Sequence, residues 1–493
     1  MYVGNQNLMK MYDQCLLDAG YTIEELVDKA SDCLFQHMQS YRSIALLCGP
    51  GNNGADGLSL AIKLFHNQQD VKVFIFDDHE RLSQANRYYL NQCYDEDIEV
   101  ILIDEDVIEN MAKEFESCDA IVDAMFGFGL NSSPRGFYQF VIEEINHLYD
   151  QEIIAVDIPT GLDCNTGVPY QSVVCATQTI TLSALKNGFL NPDSLFFTGN
   201  VILEKLDVED MSEKVGLYQL MYQEDISPIL KERLFHGHKG HYGRIGMITG
   251  CPQYKGASLL STKSAVYSGS GVVTAITCQE VIDSLTIFCP EATALLRSHV
   301  LNTEDINRYD ALLIGSGLGL NHQAEQYVED VFVSTDIPLV VDGDALTILS
   351  SHLELLENQE RPLILTPHMG EFKRLCHFDD EDDILEVAQN FAKEWGIILV
   401  LKGPYTMVTD GEFSYRVMSG NKAMSSGGMG DVLAGMITSF VGQKYNPIDA
   451  ALLGVFIHGY AGDMIEKEAY TVIPSQLIEK IPFVMKQLKK SSQ

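Results

Sequence analysis

No CxxC pair occurs among the 11 cysteines, and no HExxH or zinc-ligand spacing among the 13 histidines. A zinc knot and a thioredoxin-type redox motif are thereby excluded. The scattered cysteines, several inside apolar patterns such as Cys48 and Cys278, read as reduced core thiols. Basic residues are scarce: 33 Lys and Arg face 69 Asp and Glu, a net charge of −36. Such a chain repels nucleic acid and anionic membrane, so a small anionic ligand needs a site built locally from positive charge or N–H groups. No apolar run approaches a membrane span, and Met1–Lys10 has no basic flank leading into an apolar stretch. The expectation is a cytoplasmic protein without nucleic-acid or membrane partners. Its 493 residues, 46% hydrophobic and 21% charged, can bury sizeable cores; length suggests roughly three domains, and two larger α/β domains fit as well.

What is present is strand, glycine-rich turn and helix, repeated. Leu8 to Met38 carries apolar residues at helical spacing with a break near Gly20, one or two amphipathic helices. Ile44–Cys48 reads as a buried strand, Gly49 to Gly57 (GPGNNGADG) as a loop, and Leu58–Phe65 as a helix. This order presents an anion or nucleotide loop at the end of a parallel strand, though it is neither GxGxxG nor a Walker loop. Further strands are expected at Val71–Phe76, Val100–Ile103, Ala120–Asp123 and Ile153–Asp157, forming a doubly wound sheet. The last two end in Asp123 and Asp157, each either a strand-end cap or part of a shared cleft. The oxygens of Asn53, Asp123 and Thr160 are of the type that holds a hard cation.

The character changes around Asp207–Arg233, where acidic residues interrupt the strand pattern; the boundary is placed near Tyr218–Asp225, giving domains 1–218 and 225–493. The second half restarts the α/β pattern, with strands expected at Arg244–Thr249, Val272–Ile276, Ala311–Ile314, Leu339–Val341, Leu363–Leu365 and Ile397–Leu401. Their ends carry Gly315–Gly319, Asp342 and Asp344, His368, and Lys402-Gly403. A lysine there can offer charge to a phosphate. Gly427, Gly428, Met429, Gly430 and Asp431 form a glycine-rich turn running into an apolar helix, where N–H groups converge on an anion and Asp431 can take a proton from an attacking hydroxyl. An ordinary turn with an aspartate cap is the bland alternative.

The ordered motifs GPGNNGADG, VDAMFGFGL, AVDIPTGLD and TLSALKNGF resemble the NAD(P)H-hydrate epimerase domain over roughly Leu8 to Asp207. The resemblance implies a Rossmann-like domain in which Asn52, Asn53, Gly54, Ala55 and Asp56, with Gly127, Phe128, Gly129, Leu130, Asn131, Ser132 and Ser133, contact the hydrated dinucleotide. It implies K⁺ on Asn53, Asp123 and Thr160, and Asp157 and Lys186 as the proton-transfer pair interconverting R and S forms. Ala55 stands where the family has a third glycine, and Phe128 where a threonine is common.

The second half resembles the NAD(P)H-hydrate dehydratase branch of the ribokinase-like superfamily, through HKGHYGRIGMITG, IGSGLG, DGDAL, LTPHMGEFKRL, LKGPYT, GNKAMSSGGMGDVLAG and HGYAGD. That resemblance implies Ala257, Gly317, His368 and catalytic Asp431 at the hydrate, and Lys402, Gly403, Pro404, Tyr405, Thr406 and Gly430 at the nucleotide. Met369, Gly343 and Met429 replace the family's proline, alanine and threonine. It further implies Mg²⁺, ADP or ATP as phosphate donor, and a homo-oligomer. Together the halves would form a bifunctional isomerase and lyase that repairs hydrated NADH or NADPH. Two readings compete: a ribokinase-type small-molecule or vitamin kinase with a fused nucleotide-binding domain, and a non-catalytic binding module.

Overall fold

Continuous apolar pentads such as Ile44–Cys48 have no polar face to show to water, so they are stable only between two layers of helices, as central strands of a parallel sheet. The computed structural model describes residues 1–76, 82–148, 150–297, 303–379 and 382–491. It divides into two units, Met1–Leu217 and Tyr218–Gln493.

In the first unit seven parallel strands lie in the order Glu99–Leu102, Asp70–Ile75, Ser43–Cys48, Ala120–Ala124, Glu152–Val156, Gln178–Leu182 and Asn200–Glu204. The chain starts centrally, winds outward one way, then returns and winds the other. The direction of winding reverses between Ser43–Cys48 and Ala120–Ala124, and ligands of such sheets bind beyond the strand ends at that point. Apolar cores lie on both faces, one under Ile23–Met38, Asn52–His66 and Gln84–Asp95, the other under Glu105–Glu116 and Phe137–Asn146. A small parallel pair, Tyr2–Gly4 with Leu185–Lys186, stands apart from this sheet.

The second unit has seven parallel strands, Thr293–Leu296, Val272–Thr277, Arg244–Ile248, Ala311–Ile314, Leu339–Val341, Leu363–Leu365 and Ile398–Leu401. Met407–Thr409 and Ser414–Val417 continue the sheet antiparallel, and Tyr218–Met221 pairs in parallel with Ser414–Val417. Helices Met429–Gly442, Pro447–Glu466 and Pro474–Ser491 contribute to its largest core.

Three expectations need correction. The stretch Gly49–Gly57 is not a covering loop throughout: the helix begins at Asn52, with Gly51 as N-cap. Small residues permit this, because a Cβ at Gly54 would lie 1.9 Å from the Gly49 carbonyl oxygen and one at Gly57 2.7 Å from Ala124 Cβ, so the helix seats directly on the sheet. Second, a run of membrane-span length and apolarity does exist: Pro447–Glu466 has 20 residues and mean hydropathy 1.3, and 72% of its apolar window is buried in the protein. Third, strands Gln178–Leu182, Asn200–Glu204, Thr293–Leu296, Met407–Thr409 and Ser414–Val417 are not among the expected ones; their apolar runs are no longer than three residues, shorter than the pentads that mark a central strand.

Candidate functional sites

At the winding reversal of the first unit lies a cavity of about 530 Å³. Helix Asn52–His66 presents Asn52, Asn53 and Asp56 to it, and the turn after Ala120–Ala124 presents Gly127, Phe128, Gly129, Leu130 and Asn131. Asp157 and Lys186 line its far wall, and Met9, Asp13 and Leu17 of helix Gln6–Asp18 close another. Gly54, Ala55, Ser132 and Ser133 are not on the wall: Gly54 and Ala55 face the sheet and its core, Ser132 is exposed, and the Ser133 hydroxyl accepts from the Ser172 N–H at 3.3 Å.

Lys186 is fully buried. Its ammonium donates to an Asp157 carboxylate oxygen, to Thr181 Oγ1 at 3.0 Å, and to the carbonyls of Leu182 at 3.2 Å and Ala184 at 3.1 Å. Asp157 sits just beyond strand Glu152–Val156 with φ of +67°, a conformation non-glycine residues seldom adopt and one typical of functional sites. The same carboxylate oxygen accepts from the Leu182 N–H at 3.1 Å. The Phe128 ring centroid lies 5.9 Å from Lys186 Nζ, so the residue that departs from the family pattern covers this pair. Burial beside the Asp157 and Asp13 charges raises Asp56 well above the carboxylate range.

Asp123 is fully buried, and its oxygens accept from Thr160 Oγ1 and Thr160 N–H, both at 2.8 Å, and from Met125 N–H at 3.2 Å. These donors are neutral, so burial outweighs them and pushes the carboxyl up to about 6. Asn53 stands beside the following turn, where a Cβ on Gly127 would meet its Oδ1 at 3.3 Å, and its buried Nδ2 has no partner. Carboxylate, hydroxyl and amide oxygens are the types that hold a hard cation.

In the second unit, strand ends converge on Lys402. Its ammonium donates to Asp342 Oδ1 at 2.9 Å and lies 3.7 Å from Glu371 Oε2, and a Cβ on Gly430 would meet it at 3.2 Å. Burial tends to raise Asp342, but Lys402 and the hydroxyls of Thr366 and Ser316 outweigh it and hold the carboxyl below its usual range. Asp431, on the first turn of Met429–Gly442, is raised to about 7 by burial and the Asp342 charge, against the Ser316 hydroxyl and Lys402. Gly317 follows Ser316 with φ of +62° and abuts helix Lys255–Tyr267, where its Cβ would lie 2.8 Å from Ala257 Cβ. His368 is bridged to Lys402 through the backbone; its Nδ1 accepts from the Gly370 N–H at 2.9 Å, capping Met369–Leu375. Gly403, Pro404, Tyr405 and Thr406 form the turn leading into Met407–Thr409, with Gly403 open to solvent. Ser316, Asp342 and Thr366 are expected from the sequence only as strand-end residues of a cleft, without a role, and Glu371 is not expected at the site; it lies on the first turn of Met369–Leu375.

Residues 19–188 match the sequence model of the YjeF-related protein N-terminus, and residues 245–483 that of NAD(P)H-hydrate dehydratase. The chain is 32% identical to a bifunctional NAD(P)H-hydrate repair enzyme of Moorella thermoacetica, over 96% of this chain and 92% of that one. It belongs to the bifunctional NAD(P)H-hydrate repair enzyme family. Members are enzymes, and solved relatives of the second half share its ribokinase-like fold. A ribokinase-like superfamily protein from Enterococcus faecalis is 30% identical with a TM-score of 0.52, covering 55% of this chain and 96% of its own. The ADP/ATP-dependent NAD(P)H-hydrate dehydratase of Bacillus subtilis, co-crystallised with ATP and Mg²⁺, is 28% identical with a TM-score of 0.50, covering 55% and 99%.

Proposed function

We propose that the first domain interconverts the R and S epimers of NAD(P)H-hydrate and that the second dehydrates the S epimer to NAD(P)H, converting ADP to AMP and phosphate, with ATP as the alternative donor. The observation that carries this reading is the buried Asp157 and Lys186 pair on the wall of a cavity that also contains two further carboxyls. Three carboxyls whose one ammonium is already paired suit a neutral ring undergoing proton transfer and offer a diphosphate no free positive charge. The hydrated ring is therefore assigned to this end, and the diphosphate to the N-terminus of Asn52–His66 and the Gly127–Asn131 turn.

In the second domain Asp431 takes the proton of the ring hydroxyl as its oxygen attacks the terminal phosphorus of the nucleotide. The first N–H groups of Met429–Gly442 have no partners within the helix and receive the developing negative charge, with Lys402 beside them. Phosphorylation makes the hydroxyl a good leaving group, and the ring nitrogen's lone pair expels it as phosphate; the adjacent ring carbon then loses a proton to water, its C–H pair forms the ring C=C, and the C=N pair returns to nitrogen to give NAD(P)H. Asn53, Asp123 and Thr160 would hold K⁺, which supplies the positive charge that buried Asp123 lacks. Among the described residues no group of three His, Cys, Asp or Glu side chains is arranged to hold a metal, so Mg²⁺ is assigned to the nucleotide's phosphates. A cytoplasmic homo-oligomer without nucleic-acid or membrane partners completes the reading, which the net charge of −36 supports as regards nucleic acid.

The test follows the dihydronicotinamide absorbance of mixed R and S NADH-hydrate with the purified chain, Mg²⁺, K⁺ and either ADP or ATP. Complete recovery of NADH is expected, and the faster nucleotide identifies the donor. Absence of recovery with both, together with a stable phosphorylated product, would favour the small-molecule kinase instead.

A further inference from the structure

The Lys186 ammonium has three protons and four oxygen acceptors around it, one of them Asp157. A group so saturated gives up a proton only by breaking that network. Two more carboxyls, Asp13 and Asp56, share the cavity with no second ammonium to pair them. Asp56 lies on the helix seated against the sheet and is only partly reached by water. Asp13 comes from a different element: Met9, Asp13 and Leu17 recur every four residues along helix Gln6–Asp18 and form one face of the cavity wall. Of the three carboxyls Asp13 is the most accessible to water, although packed protein surrounds it on the cavity wall, so it is the one placed to exchange protons between cavity and solvent.

We propose that Asp13 is the proton-exchanging acid of the epimerase site, a catalytic residue that protonates the departing hydroxyl of the hydrated ring and is reprotonated from water. This rests on the epimerase reading above. The bond from the hydrated carbon to oxygen breaks with its electron pair on oxygen, which takes the Asp13 proton and leaves as water. The lone pair of the ring nitrogen meanwhile forms a C=N bond. Water then adds to the opposite face, the C=N pair returns to nitrogen, and the surplus proton of the added water passes to Asp157. Exchange with solvent removes that proton and restores the one on Asp13, so nothing is oxidised or reduced.

The electrostatics agree. The groups facing Asp13 are Asp157, Lys186 and Asp56. The surrounding protein and the Asp157 charge push its carboxyl up to about 7, while Lys186 pulls the other way. Below that value the acid form is available, and the rate declines as pH rises through it.

The experiment gives the full chain R NADH-hydrate with Mg²⁺, K⁺ and nucleotide, so that its own dehydratase half reports each S molecule formed; spontaneous epimerisation is subtracted. Asp13→Asn should slow R to S conversion at least about 100-fold and remove the alkaline decline, leaving the rate from S hydrate unchanged. Asp13→Glu, which keeps an acid, should run at least about tenfold faster than Asp13→Asn. An Asp13→Asn chain within about threefold of wild type and with the same pH profile overturns the proposal, as does Asp13→Glu no faster than Asp13→Asn. If Asp13→Asn does not fold, Asp13→Glu decides alone: a decline displaced along the pH axis supports the role, and one identical to wild type overturns it. A wild-type chain that leaves R hydrate untouched refutes the epimerase reading itself, and is told apart because no substitution is needed to see it.

Discussion

Asp342 and Asp431 show how one cleft separates two carboxyls by environment. Asp342 is buried and Asp431 half-buried, which by itself raises a carboxyl, but Lys402 and two hydroxyls compensate Asp342, whereas Asp431 faces the resulting Asp342 charge. Asp342 therefore remains ionised as the anchor of Lys402, and Asp431 is the group poised to exchange a proton. A base must be ionised to act, and Asp431 is raised to about 7, so turnover of S hydrate should decline about tenfold per pH unit below that value. Asp431→Asn should lose roughly 10²–10⁴-fold and flatten the profile, as measured by NADH recovery across pH. Equal rates for Asp431→Asn and wild type would remove it from the chemistry.

At the scale of elements, both sites depend on a helix that begins on glycine without a side-chain cap, at Gly51 and at Gly428 with φ of +96°. The missing caps leave the N–H groups of the first turn free for ligand. The helices reach their positions because small residues permit close approach. A Cβ on Gly435 would lie 2.2 Å from the Ser261 carbonyl oxygen, where helix Met429–Gly442 crosses Lys255–Tyr267. Gly435→Ala should therefore destabilise the second domain by about 1–3 kcal/mol and displace Asp431, lowering dehydratase activity. Chemical denaturation would show it as a lower midpoint; an unchanged midpoint with full activity would mean the two helices are not locked together at this crossing.

For the whole molecule, two activities on one chain make separable deficits. Lys186→Met should let NADH recovery from a mixed hydrate stop at the S fraction, after spontaneous epimerisation is subtracted, while S turnover stays within about twofold of wild type. Loss of S turnover in that variant would instead mean that the second domain depends on the first. Much of this organisation was legible in advance. Ile44–Cys48, Ala311–Ile314 and Leu363–Leu365 are apolar runs of the kind that central strands of a parallel sheet carry, and glycine-containing turns follow the first two. The ordered motifs around Asn53, Asp157, Lys186 and Asp431 carried the family. Periodicity says that a segment is helical and which side is apolar, but not which sheet edge it will cover. The placement of Asp13 in the same cavity as Lys186, the pairing of Asp342 with Lys402, and the retreat of Gly54 and Ala55 from the cavity into the core were therefore decided only by the tertiary structure. Local sequence specifies elements through short-range sterics and burial, whereas a site assembled from distant segments exists only once strand order brings their ends together.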